Sequence, residues 1–258
     1  MINKSFCVCP LASGSKGNSL FVSCANSSIL IDAGLSGIEI ERRLNAVNIS
    51  PENLTAIIIT HEHSDHVKGA GILSRRFKLP VYITQKTYEA CSSLGKIEHL
   101  HFFECGAPFK IDQMLISPFS ISHDAIDPAG LTLEYKHHKI GIATDLGIVT
   151  SLVKEHLKNS NILYLESNHD PEMLINGSYP WHLKQRIKGR TGHLSNMDAG
   201  TLVSELKTDY LKHVILAHLS EEKKKKKKAL LEVSKSLNAS NIALHVASPH
   251  QPGKIIKL

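Results

Sequence analysis

An apolar run, AIII, ends directly on THEHSDHV at residues 60–67, which sets three histidines and two carboxylates into six consecutive positions. A continuous apolar stretch of strand length reads as a β-strand covered on both faces. Ionisable groups crowded at the mouth of such a strand are costly unless something partners them. The chain must therefore fold so that this strand end meets a partner, and nitrogen and oxygen donors in this mixture suit a divalent metal.

The spacing sharpens that expectation. His61 and His63 are two apart, so strand alternation points both imidazoles the same way. Asp65 and His66 come where the chain leaves the strand and can turn toward a second ion. An H-E-x-x-H metal helix is excluded, because it needs a histidine at position 65, where Asp stands. One ion needs at least about three protein ligands, and two need about six or seven with one shared. Later strand ends supply candidates: His123 in ISHDA, Asp145 in GIATDLG and His218 in ILAHLS. Taken singly, each has a plainer reading as a core or surface imidazole or a turn-capping carboxylate. Taken with the 61–66 cluster, they form a set that would be left unpaired without metal. Two divalent ions sharing one water would lower its pKa toward ~7 and give a hydrolase for a carbonyl or a phosphate ester. These residues leave both substrates open.

The 258 residues are enough for one large α/β domain spanning 1–258. SFCVC, SLFVSC and SSILID read as three early strands, the last ending at Asp32. A helix is expected around 37–47, with Ile40, Leu44 and Val47 on one face. A strand is expected over 54–60, and VYIT, HFF, MLISPFSIS, LTLEY, KIGIATD, ILYLES and HVILAH read as further strands. Hairpin-like neighbours fill the first half, and strand–helix alternation fills the second. That mixture predicts two packed sheets with helices outside, rather than a single parallel sheet.

Charge argues less than it first promises. Lysine and arginine number 30 against 24 acids, but KKKKKK at 223–228 supplies the whole excess. Net charge is therefore no argument for a nucleic-acid partner. The six lysines either contact a duplex backbone through counterion release or form the solvated start of a helix over 225–237, where they oppose its dipole. Five cysteines without C-x-x-C spacing point to thiols in a reducing compartment, with Cys7 and Cys9 in the core. MINKSFCVC lacks a signal-peptide apolar stretch and no segment is long enough to span a bilayer, so a cytoplasmic protein without a membrane partner is expected.

The stretch YPWHLKQRIKGRTGHLSNMDAG at 179–200 turns the choice of substrate toward a phosphodiester. Pro180 can open a short helix with Leu183 and Ile187 facing inward, while Lys184, Arg186, Lys188 and Arg190 crowd the remaining surface. Ser195 and Asp198 form a capping arrangement for a helix over 196–207, so Ser195 and Asn196 would stand at a helix start beside several cations, an anion site. His193 precedes it, placed to give a proton to a leaving oxygen. The plainer alternative is a solvated basic face with an incidental histidine.

The order HxHxDH, a later His, an Asp after a strand and a final His resembles the metallo-β-lactamase-fold hydrolases, from Asp32 to His218. LASGSKGNS, SNHD, YPWHLKQRIKGRTGHLSN and LAHLS resemble the bacterial YycJ/WalJ branch of that fold, whose relatives include RNase Z-type phosphodiesterases. The resemblance implies a four-layer αββα sandwich of two mixed sheets flanked by helices. It implies His61, His63 and His123 on one ion, Asp65, His66 and His218 on a second, Asp145 bridging, and Asp32 supporting from behind. The ions would be Zn²⁺ or Mn²⁺. Asp65 would orient or deprotonate the attacking water, and His193 would protonate the leaving group. The branch implies a 5′→3′ DNA exonuclease with a role in mismatch repair. Hydrolysis of a small cyclic phosphodiester, tRNA 3′-end processing, thioester hydrolysis and a non-catalytic nucleic-acid-binding module are the alternatives. His169 and Asp170 read as turn residues around Pro171 or as contacts to metal or nucleic acid. The polar loop at 14–18 reads as a hairpin turn or a phosphate contact. Protein partners, further copies of the chain included, are left unspecified.

Overall fold

A computed structural model of the chain describes residues 5–219, 223–237 and 240–258, with backbone alone at 223–226. The N-terminal MINK and the side chains at 223–226 therefore lie outside the described residues, and with them most of the poly-lysine question. The strands are β1 (Cys7–Ala12), β2 (Ser19–Cys24), β3 (Ser27–Ile31), β4 (Ala56–Ile58), β5 (Val81–Ile83), β6 (Leu100–Phe102) and β7 (Phe109–Ile111). They continue with β8 (Met114–Ser120), β9 (Ala129–Tyr135), β10 (His138–Ala143), β11 (Ile162–Glu166), β12 (His213–Ala217), β13 (Ala243–Val246) and β14 (Ile256–Lys257). The helices are α1 (Gly37–Ala46), α2 (Ser64–Val67), α3 (Ala70–Phe77), α4 (Gln85–Ala90), α5 (Ser151–Leu157), α6 (Pro171–Asn176), α7 (Trp181–Lys188), α8 (Asn196–Leu206) and α9 (Lys223–Ser236).

The strands form two sheets, ordered β14-β1-β2-β3-β4-β5-β6 and β13-β12-β11-β10-β9-β8-β7. Each is half meander and half parallel. In the first, β1 to β3 pair antiparallel and β3 to β6 parallel; in the second, β7 to β10 pair antiparallel and β10 to β13 parallel. The expected split into a hairpin half and an alternating half is thus corrected: both patterns occur in each half of the chain. Between the sheets lies a core of Val8, Val22, Ile29, Ile58, Ile116, Leu131, Ile142 and Ile215. Residues of the opposite strand parity face outward. Leu30 and Ile57 meet Ile40 and Leu44 of α1 and Leu73 of α3, whereas Leu163 and Leu216 meet Val153 of α5, Leu202 of α8 and Val233 of α9. Strands buried on both faces favour apolar residues at successive positions, which explains the runs ILI in β3, AII in β4, ILYL in β11 and VILA in β12. Cys7 and Cys9 point to the helix side and Val8 to the inter-sheet side, and all five cysteines are free thiols.

This topology delivers the site. β1, β3 and β4 run the same way in one sheet, and β8, β10, β11 and β12 the same way in the other. Their carboxyl ends share one rim, the place where open α/β sheets gather ligand-binding groups. Ser13 follows β1 and its Oγ accepts from the His218 backbone N–H after β12 at 2.7 Å, tying the rims of the two sheets together.

Candidate metal centre

The strand expected over 54–60 stops at Ile58. Thr60 N–H donates to Asp32 Oδ1 at 2.9 Å instead of continuing the ladder, and its hydroxyl donates to Asp32 Oδ2 at 2.8 Å. His61 and His63 therefore sit in the connection beyond β4, and strand pleat does not aim them. Their rings nonetheless lie 4.8 Å apart, and His123 lies 5.0 Å from each. His63 then starts α2, which carries Asp65 and His66.

Three of the residues at this rim take a left-handed backbone that side chains other than glycine seldom adopt. Asp32 has φ 60°, Asp145 φ 55° and His218 φ 51°. Asp32 and His218 come directly after a strand and Asp145 comes two residues after one. Such residues cluster at functional sites, held there by the surrounding structure. Gly34 makes the closest approach. A Cβ there would stand 1.6 Å from the Asp65 carbonyl oxygen, so only glycine lets the 32–34 turn lie against α2.

Asp145 is the hub. Its Oδ2 lies 3.3 Å from His66 Nε2, and its Oδ1 lies 3.6 Å from His218 Nε2 and 3.9 Å from His123 Nε2. His123 Nε2 is 3.3 Å from His63 Nδ1, and Asp65 Oδ2 is 3.7 Å from His66 Nε2. Behind them, Asp32 Oδ2 is 2.8 Å from His66 Nδ1, while Asn18 Nδ2 lies 3.0 Å from His66 Nε2 and donates to Asp65 Oδ2 at 3.2 Å. Asn18 is thus a buried brace rather than an exposed contact of the 14–18 loop.

The donor set fits a divalent metal. His61 Nε2 and His218 Nε2 are buried without a hydrogen-bond partner, and Asp145 Oδ2 has only the His66 ring at 3.3 Å. Such atoms are costly to bury unless a ligand takes their lone pairs. Three groups have ligand atoms within 4.8 Å of one another: His61, His63 and His123; His61, His66 and Asp145; and Asp145, Glu166, His193 and His218. The electrostatics ask for positive charge. Burial works against a charged ring at His218, yet Asp145 and Glu166 raise it to about 9. Burial opposes the charged form of His66 as well, and Asp32 and Asp145 still hold it well above the usual histidine range. Asp145 stays ionised despite its burial because His218 and His66 face it. A divalent ion meets the same demand, and its binding displaces those protons.

Glu166 is the residue that sequence reading missed. It is fully buried as the last residue of β11, and its Oε1 lies 2.8 Å from His193 Nδ1 and 2.9 Å from His218 Nδ1. Its Oε2 accepts from the Leu146 and Leu194 backbone N–H groups. An acid closing the otherwise apolar run ILYLE was the available signal, since a buried carboxylate must be partnered.

A cleft of about 560 Å³ opens over these groups, lined among others by Lys16, Asp65, His123, Asp145, Arg186, His193 and His218. Of the phosphate contacts expected over 184–196, only Arg186 reaches its wall, and Ser15 and Lys16 of the 14–18 loop line it too. Lys184 Nζ donates to the Ile175 carbonyl at 2.6 Å, and Lys188 lies over the Trp181 ring. Arg190 is absent from the lining too; its carbonyl accepts from Ser122. Ser195 and Asn196 are corrected: both are buried, Ser195 capping α8 through the Asp198 N–H and Asn196 accepting from Ser167. They serve the fold of the helix start and do not reach the cleft. α7 buries none of its residues, so Leu183 and Ile187 line the cleft rather than a core. Asp170 caps α6 through the Met173 N–H, and both it and His169 line the cleft.

Comparison with known proteins places this architecture. The Beta-lactamase superfamily domain matches residues 27–219. Over 254 residues the chain is 37% identical to exodeoxyribonuclease YycJ of Bacillus anthracis, covering 95% of this chain and 96% of that one. It is 39% identical over 217 residues to exodeoxyribonuclease WalJ of Streptococcus pneumoniae, covering 82% and 81%. The metallo-β-lactamase fold protein YhfI from Bacillus subtilis superposes with a TM-score of 0.75 at 16% identity, over 99% of this chain and 100% of that one. Two seven-stranded mixed sheets between helix layers, with the histidines and aspartates of HxHxDH, His123, Asp145 and His218 on one rim, place this chain in the beta-lactamase superfamily as a metallo-β-lactamase-fold protein.

Proposed function

We propose that the chain is a metal-dependent exonuclease acting on DNA ends, in the cytoplasm, where its free thiols stay reduced. The observation that carries the reading is the cluster of buried, under-satisfied nitrogen and oxygen atoms of His61, Asp145 and His218, of which Asp145 and His218 line a cleft together with His193. End-to-end similarity to relatives named exodeoxyribonucleases supports DNA as the substrate.

In this reading His61, His63 and His123 would hold one divalent ion and Asp65, His66 and His218 a second, with Asp145 available to both. Zn²⁺ suits the histidine-rich set and Mn²⁺ the mixed one. When bound, such ions polarise the phosphoryl group and lower the pKa of water. The chain's own residues do the rest. Asp65, partly exposed at the cleft and held by Asn18, orients the attacking water and takes its proton. Asp32 fixes the His66 ring, the arrangement that sets tautomer and orientation of a ligand imidazole. Burial disfavours the charged His193 ring, but the Glu166 carboxylate outweighs it and holds His193 above the usual histidine value. His193 is thereby kept protonated to give a proton to the leaving oxygen.

The test is incubation of the purified chain with 5′- and 3′-labelled DNA and RNA across a Zn²⁺ and Mn²⁺ series. Release of deoxynucleotides from the 5′ end, lost in Asp65→Ala and His193→Ala, is the expected result. Intact DNA at saturating metal would refute the reading.

A further inference from the structure

The segment joining α6 to α7 stands exposed beside the cleft. Every residue from 175 to 182 is exposed, and α7 buries none. Large apolar side chains nevertheless sit on it: Tyr179 is 42% exposed and Trp181 57%. α7 presents two faces. Leu183, Arg186 and Ile187 line the cleft together with Tyr179. Trp181, Lys184 and Lys188 follow one another at i, i+3 and i+7 on the outer side, with Lys188 Nζ 5.2 Å from the Trp181 ring centre. Between Glu172 and Asp198 no acidic residue occurs, while four lysines and arginines do.

Exposed aromatic faces interleaved with cations, in a segment free of acids, match one ligand chemistry well. Aromatic rings stack on bases whatever the sequence, provided the bases are unpaired, and the neighbouring cations follow the backbone. An acid-free basic surface is poorly matched to the same surface of a second copy. We propose that the arm at 175–188 is a stacking platform for the unpaired end of a DNA strand. Tyr179 takes a base at the cleft rim and Trp181 takes one beyond it, around the start of α7. Lys188 covers one face of the indole and contacts a phosphate. Arg186, now donating to Asp124 Oδ2 at 2.7 Å across the cleft mouth, exchanges that carboxylate for a phosphate when the strand enters. This rests on the exonuclease reading and names the form of its substrate: frayed or single-stranded ends rather than blunt duplex.

Trp181 is the chain's single tryptophan, so its emission reports this surface alone. The experiment titrates the full chain with a phosphorothioate-linked oligothymidylate that resists cleavage, following emission and, with a labelled oligonucleotide, anisotropy. Emission is expected to fall by about half and to recover in high salt, with Tyr179→Ala and Trp181→Ala each weakening binding about tenfold. A blunt hairpin duplex of equal length is expected to bind about tenfold more weakly and leave the emission unchanged. Unchanged emission at saturation, equal binding of duplex and single strand, or wild-type affinity in both alanine variants would overturn the proposal. Both side chains are exposed, and an unaltered melting temperature confirms that the variants fold. Wild-type chain that quenches but releases no nucleotide overturns the exonuclease reading while keeping the platform. Chain that releases nucleotides with Trp181 unquenched does the reverse.

Discussion

Glu166 Oε1 lies 2.8 Å from His193 Nδ1, and the carboxylate it belongs to has no contact with solvent. Although burial disfavours its charged form, His193 and His218 lower Glu166 to about 2, so it is ionised at any working pH. A proton donor must be protonated to act, so the rate should fall as pH rises through the raised pKa of His193. Glu166→Gln removes the charge that raises it, and the alkaline limb of the pH–rate profile should move to lower pH. A limb that stays in place would separate His193 from Glu166. His193→Ala should lower kcat by about 10²–10⁴-fold.

Asp32 accepts from the Thr60 N–H and hydroxyl and lies 2.8 Å from His66 Nδ1. Asp32→Ala should lower metal affinity by about 10–100-fold, measured by competition with a chromogenic chelator. Retained affinity would show that the His66 ring needs no support from behind.

Gly34→Ala pushes a methyl group into the Asp65 carbonyl, and the atoms it meets are all backbone. A loss of roughly 1–3 kcal/mol in urea unfolding is expected, the range of a forced backbone shift. A loss below about 0.5 kcal/mol would mean that the 32–34 turn is not held against α2.

Much of this was legible in the sequence for a simple reason. HxHxDH, His123, Asp145 and His218 follow apolar runs, and a strand that must be buried on both faces announces itself by composition. Glu166 was hidden by the same logic, because one acid at the end of ILYLE looks like the polar edge of a strand. His61 and His63 converge as expected but not through strand pleat, because Asp32, 28 positions before Thr60, captures Thr60 and ends the ladder early. Ser195 and Asn196 carry residue types suited to binding anions, and only their burial shows that they face inward. Positive φ at Asp32, Asp145 and His218 has only a weak sequence signature, since Asp and His are enriched in that region without being specific to it.

Four cysteines are buried and Cys105 is partly exposed. Burial raises the Cys9 thiol to about 12 and those of Cys24 and Cys91 to about 11. An aromatic disulfide reagent at pH 8 should titrate at most one thiol in the native chain and five after denaturation without reductant. Fewer than five would reveal a disulfide, and several fast-reacting native thiols would contradict the packing of β1.

The most direct measurement is elemental analysis of freshly purified chain, wild type against Asp145→Ala. The account expects two equivalents of zinc or manganese in the wild type and one or none in the variant, with both still folded by circular dichroism. A folded wild type that carries no divalent metal and acquires none on incubation, or an Asp145→Ala variant with unchanged metal content, would contradict it.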